Sequence, residues 1–231
     1  MGKYLFLRWT VLFSALFLLE GKTVLSQHFY RIESDISIKT KVQGGQGSLT
    51  LGRVYYDRTT EKLVFDIQFP EREIWVLKDS LSLTYRNGDL HQKEAVNPFT
   101  ATTIFHKCLD GNLSDFGLRN TLYRIEKVEK EDNMVITTWN PPSHAPGMGQ
   151  IITSTIENNL YGVIIKNPAG DILSRQLYTE YRTVGGLKVP SEITQVIYRN
   201  ENEVYQVITL GNIIINSLRN ENLYNYSPGS D

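Results

Sequence analysis

Apolar and polar side chains alternate along most of the chain, a pattern that predicts half-buried β-strands. In residues 63–69, Leu, Phe, Ile and Phe occupy every second position, and the proline that follows cannot donate to a ladder and ends the strand. Asn87-Gly88 is typical of a tight hairpin turn. The pattern predicts about ten or eleven strands in meander order. The alternating segments from which these strands come are 63–69 and also 36–41, 48–56, 73–79, 81–89, 122–127, 134–139, 151–156, 161–165, 172–182, 192–199 and 204–215.

One stretch, "NPFTATTIFHKCLDG" (Asn97–Gly111), predicts a helix instead. Asparagine suits the N-cap, proline the first helical position, and glycine the position after the last turn. Its apolar stripe consists of Ile104, Phe105, Cys108 and Leu109. Three threonines in its first half are poor helix formers, so the helix needs an apolar surface to lie against.

These elements predict a mainly β fold: an antiparallel, incomplete β-barrel (a half-barrel) with the helix as a lid over its open mouth or concave face. A short turn with Phe116 tucked inward is expected after the helix, and the polar tail "NENLYNYSPGSD" is expected to be loose.

Residues 1–26 read as a signal peptide, with a basic start, an apolar run and a small residue before the cleavage site. The apolar run is about half the length of a membrane-spanning helix, although an uncleaved anchor stays open as an alternative. Residues 27–231 then form one domain of ordinary size.

Composition and motifs argue against several classes of function. The 24 Lys and Arg balance 25 Asp and Glu without a basic cluster, which argues against nucleic acid as the main partner. The single cysteine, Cys108, excludes an intrachain disulfide. None of the four histidines has metal-ligand spacing, and motifs of nucleophilic hydrolases, zinc proteases and phosphate loops are absent. We therefore expect no catalytic residue, no metal and no cofactor. An exported hydrolase is the least favoured alternative function.

Large apolar side chains on the alternating faces offer a better clue. An ordinary aromatic core explains most of them, but the same side chains could line a large apolar cavity that holds a fatty chain. The candidate cavity and lid residues are Leu49, Leu51, Phe65, Ile67, Phe69, Trp75, Phe99, Ile104, Phe105 and Leu109.

The order of three motifs, "GQGSLTLGRVYYD", "KLVFDIQFPEREIWVLKDSLSLTYRNGD" and "NPFTATTIF", resembles the LolA-type outer-membrane lipoprotein carriers. Further on, "NPAGDILSRQLYTEYRTVGGLKVPSEI" is similar to the wider lipoprotein-sorting branch. The resemblance covers roughly residues 30 to 230.

This resemblance implies an incomplete barrel with a helical lid over an apolar cavity, in the periplasm of a two-membrane bacterium. The carrier would take a lipoprotein by its acyl chains from an inner-membrane transporter and deliver it to an outer-membrane acceptor. Arg53 matches the arginine that latches the lid in the family, but Val54 stands where the family has proline. An ordinary solvated strand residue is the alternative for Arg53. For the whole protein, the alternative is a periplasmic sensor or scaffold module that binds a protein partner.

Overall fold

The computed structural model describes residues 29–78, 80–95, 104–109, 113–145, 147–199 and 202–228. Within these ranges, 13 strands form one antiparallel sheet. Two short α-helices, α1 (Ile104–Leu109) and α2 (Glu221–Tyr224), and one 3-10 turn (Leu118–Asn120) accompany it. The strands are β1 Arg31–Val42, β2 Gly47–Asp57, β3 Lys62–Phe69, β4 Glu73–Lys78, β5 Leu81–Arg86, β6 Asp89–Ala95, β7 Arg124–Glu131, β8 Met134–Asn140, β9 Ile151–Ile156, β10 Asn159–Lys166, β11 Ile172–Val184, β12 Leu187–Arg199 and β13 Asn202–Ile215.

Two meanders make up the sheet. Its order is β6-β5-β4-β3-β2-β1-β13-β12-β11-β10-β9-β8-β7, so pairing of β1 with β13 joins the first meander to the second. Strands β6 and β7 form its two edges, and the sheet does not close. The segment between them, which carries α1, therefore has to cross from one edge of the sheet to the other. Helix α1 lies within this connection between the two edges of the sheet.

The inner face of the sheet, defined as the one that α1 covers, carries the main core. Side chains at alternate positions of the strands point to it, from Ile32 and Ile36 on β1 to Ile193 on β12 and Ile208 on β13. Turn residue Phe116 is 1% exposed and packs against Tyr178. The inward turn predicted from the sequence is therefore confirmed.

A smaller apolar cluster lies on the other, outer face. Tyr55, Val64, Val76 and Tyr85 come from β2 to β5, and Tyr224 of α2 covers them. The Tyr55 and Tyr224 rings meet edge to face, with centroids 5.4 Å apart. The expectation of a loose tail is wrong for this part, because the aromatic residues that alternate with polar ones give the tail an apolar face to bury.

Three other expectations change. Strand β6, "DLHQKEA", is exposed throughout and has no apolar alternation that would predict it. Strand β7 runs Arg124–Glu131, four residues beyond the predicted end. Of the predicted helix Asn97–Gly111, the structure describes Ile104–Leu109 as helical, while residues 97–103, 110 and 111 lie outside the described ranges, as do residues 1–26 of the expected signal peptide. The short α1 is not a demonstrated lid.

Candidate functional site

Five of the ten predicted cavity residues meet in the core of the inner face. Phe65 and Ile67 of β3 are 2% and 0% exposed, and Ile104, Phe105 and Leu109 of α1 are equally buried. Trp75 is partly buried against the same cluster, with its ring centroid 6.0 Å from that of Phe65. The apolar stripe of α1 thus lies on the apolar face of the sheet, as the threonine-rich sequence before it requires.

Two polar contacts fix α1 on this face. The Tyr56 hydroxyl of β2 and His106 Nδ1 of α1 share a hydrogen bond. Arg58 Nη1 donates to the carbonyl oxygen of Leu109, at 3.5 Å, at the end of the helix. Both contacts join α1 to the end of β2 and the turn after it, so this end of the helix is anchored to the sheet.

Arg53 takes no part in this attachment. Its Nε lies 3.0 Å from Asp35 Oδ1, and its Nη2 lies 3.5 Å from Glu33 Oε1. The register of β1 with β2 puts all three side chains on the outer face, away from α1. The lid-latch prediction for Arg53 is therefore corrected, and Tyr56 is the β2 residue that contacts α1.

Leu49 and Leu51 also differ from the expected position. Both share the outer-face alternation of Arg53 and Tyr55, and Leu51 is 39% exposed. Phe69 sits opposite Leu51 beyond a register shift and is 48% exposed. The shift occurs at Gly52, where an added Cβ would lie 2.3 Å from the Asp66 carbonyl oxygen, so only glycine allows the strands to approach there. Phe99 lies outside the described residues.

Beyond the core, the inner face continues into an open cleft over β7 and β8, which we call the inner cleft. Ile125, Val128 and Val135 on its floor are 48%, 57% and 37% exposed, and Trp139 lies beside them. The cleft has a volume of about 240 Å³. Asp115 and Arg119, paired at 3.3 Å, stand at its rim.

Sequence reasoning missed these cleft residues, although β8 was predicted as a strand. Val128 and Val135 alternate with charged or polar neighbours as in any half-buried strand. Nothing in such a pattern tells whether the apolar side is covered by other parts of the chain. The exposure follows from the position of α1, which contacts β1 and β12 rather than β7 and β8.

The buried part of the inner face is electrically neutral. Burial raises the pKa of the Cys108 thiol and that of the Tyr178 hydroxyl, so both stay protonated at neutral pH. The Tyr178 hydroxyl donates a hydrogen bond to Gln176 Oε1, and the Tyr181 hydroxyl donates one to the Leu160 carbonyl oxygen at 2.6 Å. An inner surface of this kind offers apolar contact rather than a nucleophile.

Several solved structures share this architecture. The structure matches a LolA superfamily protein from Nitrosomonas europaea (TM-score 0.57, 12% identity, 84% of this chain and 90% of that chain). It also matches a putative outer membrane lipoprotein-sorting protein domain from Vibrio parahaemolyticus (TM-score 0.59, 10% identity, 86% of this chain and 91% of that chain). A third match is a DUF1329 family protein from Desulfovibrio piger (TM-score 0.57, 9% identity) that covers 86% of this chain and 90% of that chain.

Searches with the sequence alone found no matching protein-family model and no matching curated protein. The chain therefore has a LolA-like fold, shown by structure at about one identical residue in ten. In the described part of the chain, no helix has the length and apolar character needed to cross a membrane.

Proposed function

We propose that this protein binds the acyl chains of a lipid or lipoprotein on its inner face and carries them through the periplasm toward the outer membrane, without catalysis. The observation that carries the proposal is the inner cleft. There, Ile125, Val128 and Val135 expose apolar surface that continues the core instead of ending at it. The LolA-like fold and the outer-membrane sorting domain among its structural matches support the same reading.

The energetics suit a carrier. A saturated chain of about 16 carbons gains on the order of 10 kcal/mol when it leaves water, at about 0.8 kcal/mol per methylene. Cargo that must be released needs a site that can open. Helix α1 has 6 residues and is held on the sheet by an apolar stripe and by the bond between Tyr56 and His106. Movement of α1 away from β1 and β12 would extend the inner cleft, which is already open over β7 and β8, onto the apolar surface that α1 now covers.

A site-specific optical test is available because Trp139 lies in the inner cleft. In a Trp75→Phe background, a fatty acid brominated in mid-chain should quench Trp139 fluorescence saturably. Val128→Asp should weaken this quenching at least tenfold, because an exposed valine of the cleft floor becomes charged. Leu90→Asp, which changes an equally exposed residue on the distant strand β6, should leave it unchanged.

The transport role needs the natural cargo. The protein, expressed with residues 1–26 and purified from the periplasm, should carry acyl lipid or lipoprotein in native mass spectrometry, and Val128→Asp should lose it. A preparation free of lipid whose Trp139 is not quenched would remove the proposal. Co-purification of a protein without acyl chains would favour a scaffold or sensor module instead.

A further inference from the structure

A second apolar depression lies on the outer face, opposite the inner cleft. It crosses β8 to β12, has a volume of about 330 Å³, and we call it the outer groove. Its apolar walls are Met134, Ile136, Ile152, Ile164, Leu177 and Val196. Leu177 is 42% exposed, so this surface is open to solvent.

Two small residues, Ser154 and Gly162, lie in the middle of the groove. Gly162 pairs with Ser154 on one side and with Leu177 on the other. A Cβ at Gly162 would lie 2.8 Å from Ser154 Oγ, so this row of the sheet has no room for a larger side chain without rearrangement. The neighbouring row carries Ile152 and Ile164 as direct partners. Ser154 and Gly162 therefore form a depression, bounded by Ile136 and Leu177 in their own row and by Ile152 and Ile164 in the next row.

The dimensions fit one acyl chain. Five neighbouring strands at about 4.8 Å spacing span about 19 Å. One acyl chain occupies half of the roughly 30 Å hydrocarbon core of a bilayer, or about 15 Å. A channel about 19 Å long and two residues wide offers on the order of 130 Å², far below the roughly 800 Å² per partner of a stable protein interface. A small ligand therefore fits better than a second copy of the chain.

One positive charge, on β11, lies at the β11–β12 side of the groove and suits an anionic head group. Arg175 lines the groove and stacks its guanidinium over Tyr198, 5.7 Å from the ring centroid. Within the described ranges, Arg175 has no carboxylate partner. An exposed guanidinium without a counter-charge next to an apolar channel is complementary to an amphiphile with an anionic head.

The tail of the chain is not the occupant. Its helix α2 is held on the other half of the outer face, where Arg31 binds Glu221 and Tyr224 covers Tyr55. The tail covers one half of this face and leaves the groove open.

We propose that the outer groove binds one free fatty acid, with the chain across β8 to β12 and the carboxylate on Arg175. This site is separate from the proposed inner-face site and does not depend on it. Wild-type protein should then bind two palmitates in native mass spectrometry, one on each face.

Leu177→Asp should remove one palmitate while Trp139 quenching by the brominated fatty acid persists. Leu90→Asp serves as the matched control, since it also places an acid at an exposed leucine, and should keep both palmitates. Arg175→Ala should weaken the outer site about threefold to fivefold for palmitate, the range of an exposed ion pair, and leave hexadecanol binding unchanged.

Three results would overturn the proposal. The first is unchanged palmitate stoichiometry in Leu177→Asp, and the second is loss of all bound palmitate in Val128→Asp. The third is sedimentation of the wild type, but not of Leu177→Asp, with phosphatidylglycerol vesicles free of fatty acid, which would make the groove a membrane contact. Failure of the inner-face site alone would appear as absent Trp139 quenching with one Leu177-dependent palmitate retained.

Discussion

At the scale of single residues, Arg31 ties the two ends of the described chain together. Its Nε lies 2.6 Å from Asp57 Oδ2, its Nη1 lies 2.5 Å from Glu221 Oε2, and its guanidinium stacks 4.6 Å from the Tyr224 ring centroid. The side chain is 8% exposed, so these partners compensate a charge that water hardly reaches. Arg31 and the packing of Tyr224 on Tyr55 together hold α2 on the sheet.

Replacing Arg31 should therefore be costly. We expect Arg31→Met to lower the free energy of unfolding by about 3 kcal/mol, because Asp57 is left as a buried charge without its partner. Urea unfolding followed by circular dichroism measures this. Arg72→Met, at an exposed arginine, should change the stability by less than about 0.5 kcal/mol. Equal effects of the two substitutions would contradict the assignment.

The same contacts predict an acid response of the tail. Burial raises the pKa of Asp57, but hydrogen bonds from Arg31 and Thr59 outweigh it, so this pKa lies below its ordinary 3.8. The hydrogen bond from Arg31 lowers the pKa of Glu221 below its ordinary 4.5. A carboxylate whose pKa is lowered by folding stabilises the fold above its unfolded pKa, and this contribution is lost as the pH falls through the folded pKa.

We therefore expect the backbone amides of residues 223–226 to keep their protection from hydrogen exchange between pH 7 and pH 5. As the pH falls below the ordinary pKa values of 4.5 for Glu221 and 3.8 for Asp57, this protection should decline, and it should be lost as the pH passes their lowered folded pKa values, after correction for intrinsic exchange rates. In Arg31→Met, protection should already be low at pH 7. Undiminished protection at pH 3 in the wild type would show that aromatic packing alone holds α2.

At the scale of elements, α1 depends on its contacts with the sheet. We expect Tyr56→Phe and His106→Ala each to lower the free energy of unfolding by about 1 kcal/mol, and the double variant to lose little more than either single one. A double-mutant cycle by urea unfolding measures this coupling. Cys108→Ala changes the same helix without touching the hydrogen bond, so its effect should add to that of Tyr56→Phe. Additive losses from Tyr56 and His106 would contradict the bond.

Strand β2 shows what the sequence can and cannot predict about elements. Alternation correctly indicated a strand, and Gly52 permits the close approach of β3 at the register shift. The apolar residues of β2 do not all lie on one face, however. Leu49 and Leu51 point outward, whereas Val54 and Tyr56 point inward. A local period of two fixes which residues share a face, but only the partner strands and α1 decide which face is inner. The predictions for Leu49, Leu51 and Arg53 failed for that reason.

Strand β6 and helix α2 were missed for a different physical reason. Edge strand β6 is exposed and pairs with β5 alone, so its backbone pairing needs no apolar side chains. Helix α2 has only 4 residues, too few for a helical period, and it exists because Tyr224 and Arg31 find partners far away in the chain. In contrast, hydrophobicity and period placed Phe65 and Ile67 on the apolar face of the sheet and Phe105 and Leu109 on the helix above it; they were predicted to line a cavity, and the structure packs them in the core.

At the scale of the whole molecule, pairing of β1 with β13 makes one folding unit of two meanders. Ten residue pairs from Ile32–Ile215 to Val42–Val204 join the two halves. The inner core runs across this junction without a break, since Ile36 of β1 and Leu210 of β13 belong to the same cluster as residues of β3 and β10. A junction of that length, with the core continuous through it, should prevent either half from unfolding alone.

The two tryptophans beyond residue 26 allow this to be measured, because Trp75 lies on β4 and Trp139 on β8, one in each meander. In Trp75→Phe and in Trp139→Phe, the fluorescence of the remaining tryptophan reports on one meander during urea unfolding. We expect this fluorescence change to coincide with the loss of the circular dichroism signal in the same variant. Ile36 is a core residue at the junction and is 3% exposed. Ile36→Ala should lower the free energy of unfolding by about 3 kcal/mol and shift both tryptophan midpoints together to lower urea. Separate midpoints for the two tryptophan signals, or a shift of only one of them by Ile36→Ala, would mean that the meanders are independent units. In that case the second meander, which carries the inner cleft, would open while the first stays folded.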